Sequence, residues 1–299
     1  MQQEAKKLWG VVLGLICFGV ASLCPGTVFA GMARDFLDVP DGSLYPAYYF
    51  ASSQTRSSVD ATQINTITNT FRLTGTFGID GKCSGWNVLV PYETMNLSNN
   101  VGTTANNSGM GDPTFIWDIN LFGGPSLSVE EFAKFVPQTY ASLHVSVVAP
   151  LGSYDKNNLL NPGSNCWSVT PLVNYSYTPD EGKSWLELYV KPTFFSDNNN
   201  YRSGTLSQDP ELGFEFHASN DITKWLWLAL DLFYEGGGET AVNGVWQNNS
   251  ANTLSAGCTA NFRPWHDGKF LLQYKDTVSA PQNAAQTRTL TVYISQLFY

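Results

Sequence analysis

Charge is scarce in this sequence. Only 14% of its 299 residues are Asp, Glu, Lys or Arg, and there are three histidines. A soluble domain carries about 25% charged residues, so this composition does not build an ordinary hydrated surface. Basic residues are the scarcer sign, 16 against 25 acidic, for a net charge of −9. That excludes the basic patch on which nucleic-acid binding depends. Beyond residue 30 no apolar run approaches the about 20 residues of a membrane-spanning helix. Cysteine is sparse too. Cys83, Cys166 and Cys258 are the only ones after residue 30. Their separation fits no metal motif, and an odd number cannot all pair within one chain. An oxidising compartment would allow one pair to join; otherwise each reads as a small wall or rim residue. No metal site and no cofactor is expected.

What is present begins with a secretory pattern. Lys6 and Lys7 form a basic n-region, Leu8 to Leu23 an apolar stretch, and Val28-Phe29-Ala30 a small-residue cleavage signal. The chain is therefore divided into a signal peptide, 1–30, and a mature region, 31–299. Without Glu4, Lys6 and Lys7 the mature region holds 14 basic and 24 acidic residues.

The clearest organisation lies between Tyr140 and Tyr177. In YASLHVSVVAP, Ala141, Leu143, Val145 and Val147 alternate with Ser142, His144 and Ser146. In CWSVTPLVNYSY, Trp167, Val169, Pro171, Val173 and Tyr175 alternate with Ser168, Thr170, Leu172 and Asn174. Period two marks strands, whose successive side chains point to opposite faces. Each runs about 11 residues, enough to cross a bilayer when tilted by about 45°. Soluble strands usually stop at about 5–6.

The same alternation recurs along the chain, at about 46–57, 64–79, 84–95, 114–121, 140–150, 166–177, 185–196, 210–219, 223–235, 252–263, 268–278 and 287–299. Short connections (80–83, 178–184, 220–222, 264–267) alternate with long polar ones (97–111, 151–165, 197–208, 236–250, 279–286). Short periplasmic turns and long external loops are the signature of an outer-membrane barrel. Lipid permits only closed sheets, because an open edge leaves backbone groups unsatisfied. The expected fold is all-β: a transmembrane antiparallel up-and-down β-barrel of about 12 strands, both termini in the periplasm. Residues 123–137 depart from period two. Ser128 and Glu131 form a capping box, which predicts a short amphipathic helix near 126–136, with Val129, Phe132, Ala133 and Val136 on one face. Residues 31–45 read as an irregular segment, either hanging in the periplasm or tucked into the lumen. Pro192 within a wall strand predicts a bulge or a strand end. The aromatic end, LFY, suits recognition by the barrel-assembly machinery.

With the apolar parity toward lipid, the polar parity collects Arg72, Asp118, His144, Glu187, Lys191, Glu211, Glu215, His217, Asp231 and Glu235 inside, with Tyr189, Trp227 and Phe233. Charges on the lipid face would cost about 2–4 kcal/mol at the midplane. The plain reading is that these groups pair and hydrate the interior. The sharper one is a solute path through Arg72, Asp118, His144, Glu187, Tyr189, Lys191, Glu215, His217, Trp227 and Asp231. Folding the seventh and eighth strands about their loop brings Lys191 and Glu215 together as an ion pair. The expected partners are outer-membrane lipid, the assembly machinery and a small-molecule solute. Two rival readings are a hydrolase, in which His144 and Ser146 form the H-x-S spacing of outer-membrane phospholipase, and a structural barrel that passes no solute.

The chain also resembles the MetA-pathway phenol-degradation family of outer-membrane proteins. The resemblance is carried by GMGDPTF at 109–115, APLGSYD at 149–155, NPGSNCWSVTP at 161–171, FFSDNNNY at 194–201, QDP at 208–210 and WLALDLFYEGGGETAVNG at 227–244. One departure is Cys166, where such sequences usually carry arginine. The resemblance implies an outer-membrane barrel that takes up phenolic or other aromatic small molecules, and no catalytic residues.

Overall fold

The computed structural model describes residues 31–36, 39–57, 61–202, 204–282 and 284–299. The expected signal peptide lies outside the described residues. Seventeen strands follow in order: β1 Leu44–Ser57, β2 Gln63–Ile79, β3 Lys82–Ser98, β4 Thr104–Met110, β5 Thr114–Phe122, β6 Tyr140–Val148, β7 Ser168–Tyr177, β8 Ser184–Phe195, β9 Asn198–Tyr201, β10 Gly204–Gln208, β11 Glu211–Thr223, β12 Leu226–Gly237, β13 Thr240–Val242, β14 Val245–Trp246, β15 Ala251–Phe262, β16 Gly268–Ser279 and β17 Ala285–Gln296.

Twelve of them form the wall, in the order β2-β1-β17-β16-β15-β12-β11-β8-β7-β6-β5-β3, and β3 pairs back onto β2 to close the barrel. Every neighbour is antiparallel, and apart from the closing pair β1–β17 each is also the next wall strand in sequence. Beyond Ser295, Phe298 exchanges backbone bonds of 2.8 and 2.9 Å with Leu44, which carries the closing seam past the last strand. Closure matters because each strand then satisfies its backbone on both flanks, as hydrocarbon requires.

The two faces invert the pattern of a soluble protein. Phe71, Trp86, Phe115, Val173, Leu188 and Leu230 stand exposed on the outer face, while Arg72, Asn87, Asn174, Glu187, Glu215 and His217 are buried inside. The apolar face meets lipid. No helix among the described residues is long and apolar enough to cross a membrane.

Three long connections contain strands that alternation did not reveal. β4 pairs with the far half of β3, while β5 pairs with its near half. β9, β10, β13 and β14 form a separate four-stranded sheet over the long-loop end. These strands run only two to seven residues, and most are too short for alternation to show.

The family-like segments meet at Asp112. Its carboxylate accepts from Gly152 N at 2.8 Å, Ser164 N at 2.7 Å and Ser164 Oγ at 2.5 Å. Glycine is required for this approach. A Cβ on Gly152 would lie 2.7 Å from the Gly111 carbonyl carbon, and one on Gly163 would lie 2.8 Å from that of Gly152.

Two details correct the sequence expectations, and one closes a question the sequence left open. The helix is a single turn, α1 Val129–Phe132, and none of its residues is buried. The capping box forms as expected, with Glu131 Oε2 accepting from Ser128 N at 2.9 Å. The apolar face stays unburied, with Phe132 packed only locally on Phe135, and tertiary packing is what sustains a short helix. No disulfide joins any two of Cys83, Cys166 and Cys258, a pairing the sequence allowed but did not require. Pro192 lies neither in a bulge nor at a strand end. The β7–β8 ladder is bridged at Ser168↔Phe195 and Val169↔Phe194, and again from Val173↔Val190, with no rungs between.

Candidate functional site

The lumen is built by the polar parity of the wall, and the segment 31–36 fills its middle. Arg34 is only 4% exposed. Its backbone N donates to Glu187 Oε2 at 2.9 Å, Nε to Ser219 Oγ at 2.8 Å, Nη1 to Asp221 at 2.6 Å and Nη2 to the Lys183 carbonyl at 3.0 Å. The guanidinium lies 5.0 Å from the centre of the Trp227 ring. A buried cation needs such company, since each unsatisfied donor would cost about 1–3 kcal/mol or more.

Its neighbours anchor the segment on the opposite wall. Asp35 pairs with Arg72 at 3.0 Å. Arg72 also donates to Tyr49 OH at 2.8 Å and Asn87 Oδ1 at 2.9 Å, and Asn87 donates to Asp118 at 3.0 Å. Phe36 lies against His144, with ring centres 3.8 Å apart and the planes tilted by 36°, and packs against Leu172 and Tyr189. The sequence left two positions open for this segment; the structure tucks it into the lumen.

A second group of buried charges lies on β8, β11 and β12. Lys191 and Glu215 form the expected ion pair. His217 Nδ1 is 2.7 Å from Asp231 Oδ1, and His217 Nε2 is 3.5 Å from Glu215. Thr259 Oγ1 donates to Asp231 Oδ2 at 2.6 Å. Tyr189 OH donates to Glu187 at 2.8 Å. The ten sequence-derived residues thus share one band of the lumen, and seven of them touch the plug segment or a residue bound to it. Sequence reading missed Arg34, Asp35 and Phe36 as lumen groups, because an irregular segment carries no periodicity to say which way it faces.

The band separates two spaces. At the long-loop mouth lies a cavity of about 370 Å³, lined by threonines together with Ile64, Met95, Glu211, Glu235 and Lys275. Ligand sites commonly span about 300–1,000 Å³. Below Phe36, toward the short turns, only about 70 Å³ remains beside Asp118 and Asn120.

The hydrolase geometry is not formed. His144 Nε2 lies 2.7 Å from Ser142 Oγ, not Ser146. Ser146 Oγ and His144 Nδ1 have no hydrogen-bond partner among the described residues. Both side chains are buried in the lumen, away from lipid.

A closed twelve-strand barrel with an apolar exterior and a polar, partly plugged lumen is the architecture of an outer-membrane β-barrel protein. Solved structures agree on the fold. The COG4313 outer membrane channel from Pseudomonas putida F1 superposes with a TM-score of 0.79 at 20% identity, covering 90% of this chain and 100% of that one. The beta domain of the Bordetella autotransporter BrkA follows at 0.53, with 8% identity and coverage of 86% and 100%. No curated protein matches by sequence. Residues 50–290 match the family described as "Putative MetA-pathway of phenol degradation". The chain belongs to that family, as its motifs implied.

Proposed function

We propose that this protein is an outer-membrane channel for small aromatic molecules of the phenolic type, reached from outside through the long-loop mouth. The observation that carries the reading is the cavity of about 370 Å³ at that mouth, set above a lumen closed by Arg34 and Phe36. Its lining mixes threonine hydroxyls and carboxylates with Ile64 and Met95. Such a surface offers hydrogen bonds to a phenolic hydroxyl and apolar contact to its ring. The family's description in terms of phenol degradation supports the same solute class. In this reading residues 1–30 are removed on export, the barrel-assembly machinery inserts the mature chain, and the outer face contacts outer-membrane lipid. Seven of the ten lumen residues hold the plug, and all ten border the solute's way.

The test is uptake of a labelled phenol and of a sugar of similar size by cells whose lipopolysaccharide leaflet is intact. The channel should speed entry of the phenol several-fold and leave the sugar little changed. Equal rates with and without the protein would reject the reading.

A further inference from the structure

Two hollows lie side by side on the outer face of the wall. Both arise where small residues stand between large ones. Ser52 of β1 faces Leu290 of β17 on one side and Ile67 of β2 on the other. On β15, Cys258 stands between Leu230 and Tyr274, and Ala260 between Leu228 and Leu272. Strand neighbours are about 4.8 Å apart, so a short side chain between two long ones leaves a pit. The hollow over Ser52 measures about 430 Å³ and the one over β15 about 590 Å³. Tyr274 and Leu290, which face one another across β16 and β17, form the wall they share.

The two differ in chemistry. The β15 hollow is lined by aliphatic side chains such as Leu228, Leu230 and Leu272. The Ser52 hollow is apolar only on its lower side, at Ile67 and Leu290. Two residues nearer the long loops, about 7 Å along a strand, Arg288, Gln54 and Asn65 face one another in turn and make a polar level. Arg288 donates to Gln54 Oε1, and Asn65 Oδ1 accepts from Gln54 and from Gln63, each at 3.1 Å. Asp276 lies opposite Arg288 but accepts from Tyr274 OH at 2.9 Å. Among the described residues Arg288 joins no ion pair. Arg56 stands exposed two residues further along β1. On other strands the apolar face runs on almost to the long loops. Phe194 is the second-last residue of β8 and Leu212 the second of β11, and both are exposed. The polar level with its guanidinium groups therefore belongs to this arc of the wall.

In a membrane such hollows are filled by lipid. The occupant here must carry anionic groups and hydroxyls at the level of Arg288. Below that level it needs more than one apolar chain, to lie on both sides of Tyr274 and Leu290. With the long loops outside, the level falls in the outer leaflet. Lipid A of that leaflet is a phosphorylated glucosamine disaccharide bearing several acyl chains. A guanidinium fork matches phosphate oxygens, and the amides of Gln54 and Asn65 match sugar hydroxyls.

We propose that the outer face of β15, β16, β17, β1 and β2 is a binding site for lipid A. Arg288 and Arg56 take a phosphate, Gln54 and Asn65 the sugar, and Tyr274 and Leu290 part the acyl chains. The site does not depend on which solute the channel carries.

The test titrates the full folded protein in detergent micelles with labelled lipid A, dephosphorylated lipid A and phosphatidylglycerol. Lipid A should bind at least tenfold more tightly than either of the others. Arg56→Ala with Arg288→Ala should weaken lipid A binding at least tenfold and leave dephosphorylated lipid A unchanged. Cys258→Phe fills the apolar hollow and should weaken both forms. The comparison of lipids needs no substitution, so it stands even where a variant misfolds. Three results each overturn the site: equal binding of lipid A with and without its phosphates, phosphatidylglycerol binding as tightly as lipid A, or undiminished lipid A binding by either folded variant.

Discussion

Lys191 and Glu215 are not opposite one another: Lys191 faces Gly213, Glu215 faces Tyr189, and the ion pair spans the diagonal between β8 and β11. The missing side chain of Gly213 makes this reach achievable. The hairpin was expected to bring these two residues together, and it does so with both groups on the lumen face. Glu187 stands directly across from His217.

This geometry fixes the first outcome. Lys191→Met leaves Glu215, with 1% of its side chain exposed, as a buried charge short of its cation. The loss should be about 3–5 kcal/mol, the range for breaking a buried pair, read as a lower urea midpoint for unfolding from lipid vesicles. Lys191→Met with Glu215→Gln should recover most of it. Equal stability of the single and double variants would remove the pair from the account.

Gly213→Val tests the same contact from the other side. Its side chain would displace Lys191 and part the ions, so it should destabilise the barrel by an amount similar to Lys191→Met and add nothing on top of it. Full additivity of the two would show that Lys191 does not need the space.

The plug is tested by conductance. Arg34→Ala removes three side-chain hydrogen bonds, each worth about 1.5–3 kcal/mol where a charged group takes part. Combined with Phe36→Ala it should free the segment and raise single-channel conductance several-fold in planar bilayers. An unchanged conductance would mean that the segment does not limit the axial route.

Asp112 ties its own connection, between β4 and β5, to both ends of the one between β6 and β7. Asp112→Ala should leave the barrel intact, as judged by heat-modifiable migration, but expose the 150–165 connection to limited proteolysis. Cleavage no faster than in the parent would deny Asp112 its role as the tie between Gly152 and Ser164.

Orientation follows from loop length. In a cysteine-free background, Asn248→Cys should react with an impermeant thiol reagent in intact cells. Asp180→Cys, in a short turn, should react only after the outer membrane is permeabilised. The reverse pattern would invert the topology.

Alternation alone determined the wall. A strand with lipid on one face and a polar lumen on the other must place apolar and polar residues at period two, so strand number, inner set and outer set could all be read from residues such as Phe71 and Arg72 or Leu188 and Glu187. Motif order carried the family. The position of Arg34 and Phe36 was decided only in three dimensions, because their partners lie 108 or more positions away, as Phe36 and His144 do, and no local pattern encodes so distant a contact. The same holds for the β7–β8 gap. Each proline was visible in the chain, but that Pro171 and Pro192 oppose one another depends on the exact register of the β7–β8 hairpin, which turn geometry and the buried face fix only once the strands are paired.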